Sequence, residues 1–253
     1  MAKIDTKLIA PVDLPAAVGL LTRLPVRVDG DAAMARGAAS AWAYPLAGVL
    51  LGLIGAVTAS GLSWFGVPPQ INAAIVLGLA IMLSGAMHED GLADTADGLW
   101  GGWDKERRLE IMKDSRVGVY GVCALGIVLL ARWAALGIVI AAGAQWAALV
   151  ATGAISRAAM VGVMGSLPNA RGNGLSHSVG QPSAQTVWLA IGLGAVVALL
   201  CGFLGAAVIV ALAALAVRQL ASAKIGGQTG DILGATQQIA EVAALTAIAV
   251  ALG

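Results

Sequence analysis

The chain has 253 residues, of which 59% are hydrophobic and 11% charged, with a mean hydropathy of +0.87. An ordinary soluble domain carries about 25% charge, whereas residues 37–88 and 172–217 contain no Asp, Glu, Lys or Arg at all. Both runs exceed the ~20 apolar residues that cross a bilayer, which excludes a soluble enzyme, a disordered chain and a disulfide-stapled secreted domain. A net charge of +1 with 4% aromatic residues offers no surface for nucleic acid.

In chain order, residues 1–36 read as an amphipathic or re-entrant lead-in. Pro11, Pro15 and Pro25 break any long helix there, and Asp5 and Asp13 interrupt the apolar core of a signal peptide. Apolar runs then predict spans over 39–64, 70–88, 117–142, 144–165, 185–201, 203–221 and 232–252. The expected fold is all-α, a polytopic transmembrane helix bundle of about seven spans with cytoplasmic amphipathic segments, forming one integral membrane domain over 1–253. Gly48, Gly52 and Gly55 share a face of the first span, where small residues let helices approach closely. Cys123 and Cys201 lie in apolar runs and read as packing residues.

Charge orients the bundle. Arg23, Arg27 and Arg36 precede the first span, five basic residues from Lys105 to Arg116 follow the second, and Arg171, Arg218 and Lys224 mark later loops on the same side. The opposite connections, around Pro68-Pro69, Gly143 and Gly202, carry no charge. The positive-inside rule places the charged segments 88–118, 166–184 and 222–231 together on the cytoplasmic face.

The segment 88–118 is the richest in chemistry, because residues 88–116 hold eight of the fourteen acidic side chains. On a helix Asp90, Asp94 and Asp97 stand at i, i+4 and i+7, so their carboxylates share a face. Such a face repels itself unless a hard divalent cation, Mg²⁺ or Mn²⁺, neutralises it, and Glu89 is an additional ligand candidate. Mg²⁺ also binds substrate phosphates, which points to phosphoryl chemistry. A solvated helix end is the bland alternative, but no Lys or Arg interleaves the acids between Arg36 and Lys105. Trp100 and Trp103 suit an interfacial belt. Asp114 and Arg116 abut the third span at the bundle mouth, where an arginine can clamp phosphate.

Charges inside spans are costly and mark functional candidates. Arg132, Arg157 and Glu241 fall in this class, and the sequence leaves open which arginine pairs with Glu241. The glycine-rich loop carrying Arg171 and His177 suits an anionic substrate as well as a plain connection. Lys224-Ile-Gly-Gly227-Gln-Thr229-Gly-Asp231 precedes a helix N-terminus and can cradle phosphate, although it is no Walker A sequence.

Three stretches, His88-Glu-Asp-Gly-Leu-Ala-Asp-Thr-Ala-Asp-Gly-Leu99, Met112-Lys-Asp-Ser-Arg-Val-Gly-Val-Tyr-Gly121 and Gly226-Gly-Gln-Thr-Gly-Asp-Ile-Leu-Gly-Ala235, closely resemble the cobalamin synthase (adenosylcobinamide-GDP ribazoletransferase) family. Leu21-Thr-Arg-Leu-Pro25 and Tyr44-Pro-Leu-Ala-Gly48 extend the likeness over nearly the whole chain. The resemblance implies a Mg²⁺-dependent enzyme of the bacterial cytoplasmic (inner) membrane. Such an enzyme joins adenosylcobinamide-GDP to α-ribazole, or its 5′-phosphate, and releases GMP. In that scheme Asp90, Asp94, Asp97 and Glu89 serve the metal, and Asp114 is the first choice of proton acceptor, with Asp97 and Arg116 as further catalytic candidates. Lys224, Gly227, Thr229, Asp231, Arg171, His177 and Arg157 then bind substrate. The partners are these small molecules and the lipid bilayer, with a homo-oligomer left open. The Asp94-Thr-Ala-Asp97-Gly98 opening is similar to that of CDP-alcohol phosphotransferases, as an analogy of mechanism.

A cation-coupled transporter is the rival from another class, since intramembrane carboxylates and glycine-broken helices also serve transport. Against it, no repeated half is visible, and the acidic cluster falls at the bundle mouth.

Overall fold

The computed structural model describes residues 7–253, and among them every regular element is helical apart from one two-residue pairing, Asn169 with Gln228. Residues 1–6 of the expected lead-in lie outside the described residues. The rest of it folds as α1 (Asp13–Leu21), α2 (Gly30–Arg36) and a 3-10 turn over Gly37–Ala43. One buried cluster ties these pieces together. Arg36 donates through Nε to Asp13 Oδ1 and through Nη2 to Asp13 Oδ2, both at 2.7 Å, and the Trp42 indole donates to the same carboxylate at 2.8 Å.

The bundle follows as α3 (Tyr44–Trp64), α4 (Pro69–Ser84), α5 (Met87–Gly101), the short α6 (Lys105–Ile111), α7 (Val119–Ala141) and α8 (Gln145–Ser166). After these come the single-turn α9 (Leu175–Val179), α10 (Ala184–Leu200), α11 (Leu204–Ile225) and α12 (Gly230–Leu252). Length and apolarity suffice for crossing a membrane in five, namely α3 with the helical run before it, α7, α8, α11 and α12. The α4–α5 pair qualifies jointly as a sixth, and the 17-residue α10 is a shorter apolar helix. The predicted span boundaries fall close to these helices, with three informative exceptions. α4 ends early, at Ser84, short of the expected 88. α11 runs on to Ile225, which puts Lys224 on the helix, and α12 begins at Gly230, which puts Asp231 in its first turn.

α8 is the axial helix, with 72% of its apolar window buried against neighbours, compared with 28–50% for the other four. Its approach to α3 has the small-residue basis expected from the sequence. A Cβ built on Gly48 would lie 1.9 Å from the Gly153 carbonyl oxygen, and one on Gly52 would lie 2.4 Å from that of Leu149. Only glycine lets these backbones touch.

The largest departure from expectation concerns the acidic segment. The second span ends at Ser84, because Gly85 and Ala86 both adopt left-handed backbone, with φ of 66° and 57°. A non-glycine residue there is strained. The break turns α5 by 87° from α4 and sends it across the bundle against α7 and α12. His88, Glu89 and Asp97 are thereby buried.

Candidate active site

α5 and α12 cross where each has a glycine. A Cβ on Gly91 would meet the Asp231 carbonyl oxygen at 2.9 Å, and one on Gly234 would meet the Gly91 and His88 Cα atoms at 3.3 Å. This crossing brings Asp90 and Asp94 of α5 up to Asp231 of α12. Burial and the negative charges of Asp90, Asp231 and Asp97 all disfavour a charge on Asp94, and Arg171 is the opposing cation. Arg171 Nη1 lies 3.0 Å from Asp231 Oδ2, while its Nε is buried without a hydrogen-bond partner.

The loop carrying Arg171 is fixed by pairing with the loop before α12. Ala170 N–H donates to Gln228 O and Gln228 N–H to Pro168 O, each at 2.8 Å. Ser176 donates to Gln228 Oε1 at 2.7 Å and accepts from Asn169 Nδ2 at 3.2 Å. Gly227 is required here, because a Cβ would sit 2.3 Å from Pro168 O. Gly226 ends α11 in left-handed backbone with φ of 70°, and Thr229 caps α12 by accepting from Ile232 N–H. The glycines read as a phosphate cradle therefore have local structural duties in the turn between α11 and α12.

Other sequence-predicted residues are dispersed. Both oxygens of Asp97 accept backbone N–H groups at the start of α7, from Gly118 at 2.7 Å and Gly121 at 2.9 Å. Glu89 accepts from Arg132 at 3.2 Å and from Gln238 at 3.0 Å. Arg132 also pairs with Glu241 at 2.5 Å, and Arg157 reaches the other Glu241 oxygen at 3.4 Å. Both arginines thus hold Glu241, resolving the alternative the sequence left open. Arg157 lines a separate chamber of about 40 Å³ inside the bundle, away from the carboxylates Asp90 and Asp231. Lys224 donates to Leu99 O at 2.9 Å and lies 5.4 Å from the Trp100 ring centroid, so it secures the end of α5. His177 is exposed on α9. Asp114 and Arg116 form a surface ion pair at 2.7 Å, which holds the Asp114 carboxyl down at about 2 through hydrogen bonds from the Arg116 side chain and backbone. They line an open depression with Asp97 and Tyr120 on another side of α5.

Beside Asp90, Asp231 and Arg171 opens a cavity of about 190 Å³ between α1, α3, α5, α8 and α12. Its buried wall includes Tyr44, His88, Met160 and Met164. Sequence reasoning assigned no role to these four. The signal available was weak: two methionines four residues apart on one helical face, and a tyrosine opening an apolar run.

Comparison with known proteins identifies the family. The family profile described as cobalamin-5-phosphate synthase matches residues 13–249. The chain belongs to the cobalamin-5-phosphate synthase family. Relatives named adenosylcobinamide-GDP ribazoletransferase include one from Bradyrhizobium diazoefficiens, 43% identical with 92% of this chain and 91% of the relative covered. Another from Sinorhizobium medicae is 42% identical over 95% and 97% of the two chains, and one from Mesorhizobium japonicum is 42% identical over 95% and 93%. No solved structure matches.

For a family member, the donor set can be tested against the expected Mg²⁺. Among the described residues no three His, Cys, Asp or Glu side chains converge on one metal-sized point. The expected face of Asp90, Asp94 and Asp97 is therefore not assembled as a closed cage, because the α7 N-terminus engages both Asp97 oxygens. Glu89 gives one oxygen to Arg132 and Gln238. Mg²⁺, however, usually takes only one or two carboxylates and completes its shell with water and substrate phosphates. Asp90, exposed, and Asp94, half-buried, meet that requirement.

Proposed function

We propose that this membrane protein is an adenosylcobinamide-GDP ribazoletransferase that joins its corrinoid substrate to α-ribazole, or its 5′-phosphate, and releases GMP. The observation that carries the reading is the meeting of Asp90, Asp94, Asp231 and Arg171 beside a cavity in a chain of this family. Asp90 and Asp94 would hold Mg²⁺, with the metal neutralising charge on the diphosphate and on departing GMP.

The remaining steps belong to the chain's own side chains. Arg171, whose Nε has no protein partner, binds a phosphate oxygen and orients the diphosphate. A ribose hydroxyl oxygen of the acceptor attacks the phosphorus that bears the corrinoid, and the P–O bond to GMP breaks. The hydroxyl proton passes to Asp231, the rim carboxylate outside the metal pair. Asp114 fits this role less well, since a carboxyl held at about 2 is a weak base near neutrality.

We place the site at the cytoplasmic face of the bacterial inner membrane, on the Lys and Arg asymmetry of the loops. The exposed Trp100 and Trp103 support contact with the lipid interface there. The whole chain then acts as one membrane domain whose association with further copies is open to measurement.

The test is GMP release by purified protein in liposomes supplied with adenosylcobinamide-GDP and α-ribazole, with and without Mg²⁺. Release requiring both the acceptor and the metal is expected. Folded, membrane-inserted protein that releases none would return the aspartates to the transporter reading.

A further inference from the structure

The 190 Å³ cavity is small and has two unlike ends. Its deep wall is apolar, formed by Leu21, Tyr44, Met160 and Met164, each no more than 4% exposed. Its rim is polar and open, carrying Arg171, Asp231 and the exposed Asp90. A cavity of ~150 Å³ accommodates a single benzene ring, so this one is of the size for a small planar ring system. A corrin macrocycle is far too large to enter.

One buried polar group on this wall lacks a protein partner. His88, which also borders the chamber of Arg157 and Glu241, is 1% exposed and its Nε2 makes no hydrogen bond. Tyr44, 3% exposed, lines the same wall. Buried polar groups need partners, and an empty apolar pocket supplies none. A heteroaromatic base with one free ring nitrogen would accept from the Nε2–H tautomer of His88 while its hydrocarbon edge lay against methionine sulfur, a favourable and adaptable contact for aromatic rings. Guanine is poorly suited, because several of its ring and exocyclic polar atoms would be buried against a largely apolar wall.

Building on the transferase reading, we infer that this cavity is the acceptor site: it encloses the base of the incoming nucleoside against Tyr44, Met160 and Met164. The ribose then points to the rim, toward Arg171 and Asp231, where the reacting hydroxyl is required. The corrinoid and its nucleotide remain outside. Met160 and Met164, at i and i+4 on α8, set the largest base that enters.

The experiment is a pair of kinetic and labelling measurements on the full chain in liposomes. Met164→Trp, which fills the cavity, should raise the KM for α-ribazole at least tenfold and leave the KM for adenosylcobinamide-GDP within twofold. Met164→Ala should enlarge the range of accepted bases, seen as at least a tenfold gain for a naphthimidazole riboside relative to α-ribazole. An azidobenzimidazole riboside photolysed with the unaltered protein, without corrinoid, should label the peptides holding Tyr44 or Met160–Met164. Labelling at Asp114–Tyr120, or a Met164→Trp effect on the corrinoid KM alone, would overturn the assignment. Failure of the transferase reading is distinguishable: no GMP forms with any acceptor, while the photolabel still reports where a base binds.

Discussion

Gly91 on α5 and Gly234 on α12 meet backbone to backbone, and this contact sets the distance between the carboxylates of the two helices. A Cβ at Gly91 would fall 3.1 Å from the Asp231 Cα as well as against its carbonyl oxygen. Alanine at Gly91 must therefore push α12 away or tilt α5. Overpacking of this kind costs about 1–3 kcal/mol, but the displacement acts directly on Asp90, Asp94 and Asp231. Gly91→Ala is expected to lower kcat by a hundredfold or more while lowering the melting temperature by only several degrees. Alanine at Gly78, with nothing within 4 Å of its Cβ, is the control and should leave both unchanged.

Asp94 lies among three other carboxylates, with Arg171 as the opposing cation. Removing its charge relieves repulsion in the metal-free protein and removes a metal ligand from the loaded one. Asp94→Asn should therefore match or exceed the parent in thermal stability without Mg²⁺ and gain less stability when Mg²⁺ is added. GMP release should fall by at least a thousandfold. A variant that turns over normally would refute the assignment of Asp94 to the metal.

Much of this was legible in the sequence, and the parts that were not have physical reasons. Charge-free runs locate helices well, because a bilayer requires internally satisfied backbone, and the spacing of Gly48, Gly52 and Gly55 announced a close helix contact without naming α8 as the partner. The turn at Gly85-Ala86 was only partly legible: Gly85 suits a left-handed helix end, but alanine rarely adopts that backbone, and the two together make the sharp break. The acidic segment is therefore a helix set crosswise to α4, with most of its residues buried, where the charge pattern alone predicts only a polar segment at the bundle mouth. Shared helical spacing also misled for Asp97. Periodicity reports a common face, but says nothing about the α7 N-terminus that uses that carboxylate. Adjacent Gln237 and Gln238 in an apolar helix were a missed sign of the buried network they complete with Glu241 and Glu89.

That network joins α5, α7, α8 and α12 through two cations and two anions, Arg132, Arg157, Glu89 and Glu241. With equal charges its parts compensate one another, so removing one partner is far worse than never having the pair. Arg132→Met leaves Glu89 without its arginine and Glu241 with Arg157, at the longer contact, as its one remaining cation in the network. Loss of about 3–5 kcal/mol is the expected order for breaking a buried pair. Thermal unfolding in detergent should show it. A melting temperature within experimental scatter of the parent would mean that the network does not stabilise the bundle.

Asp114 and Arg116 provide the contrasting case. Their pair is exposed, with the arginine side chain 87% accessible, and the carboxyl held at about 2 gains little as a proton acceptor. Asp114→Asn is expected to keep GMP release within about tenfold of the parent. Its kcat should show the same pH profile from 5 to 8. A thousandfold loss, together with disappearance of an ionisation from that profile, would restore Asp114 as the base.

The Asp13–Arg36 pair controls how the lead-in docks on the bundle. Burial raises the Asp13 carboxyl, but hydrogen bonds from Arg36, Trp42 and the Ala10 N–H, with the Arg36 charge, outweigh it and hold the group below its ordinary value. A folded value depressed in this way stabilises the docked state fully above the unfolded value, near 4. The contribution is lost as pH falls through the folded value. At pH 7, Asp13→Asn should lower the melting temperature and speed proteolysis within residues 13–43, because Arg36 loses its carboxylate partner. As pH drops below about 4 the parent should lose its advantage and the two proteins should converge. A difference that instead persists unchanged to pH 2 would show that the asparagine disturbs packing, with no part played by the carboxylate charge.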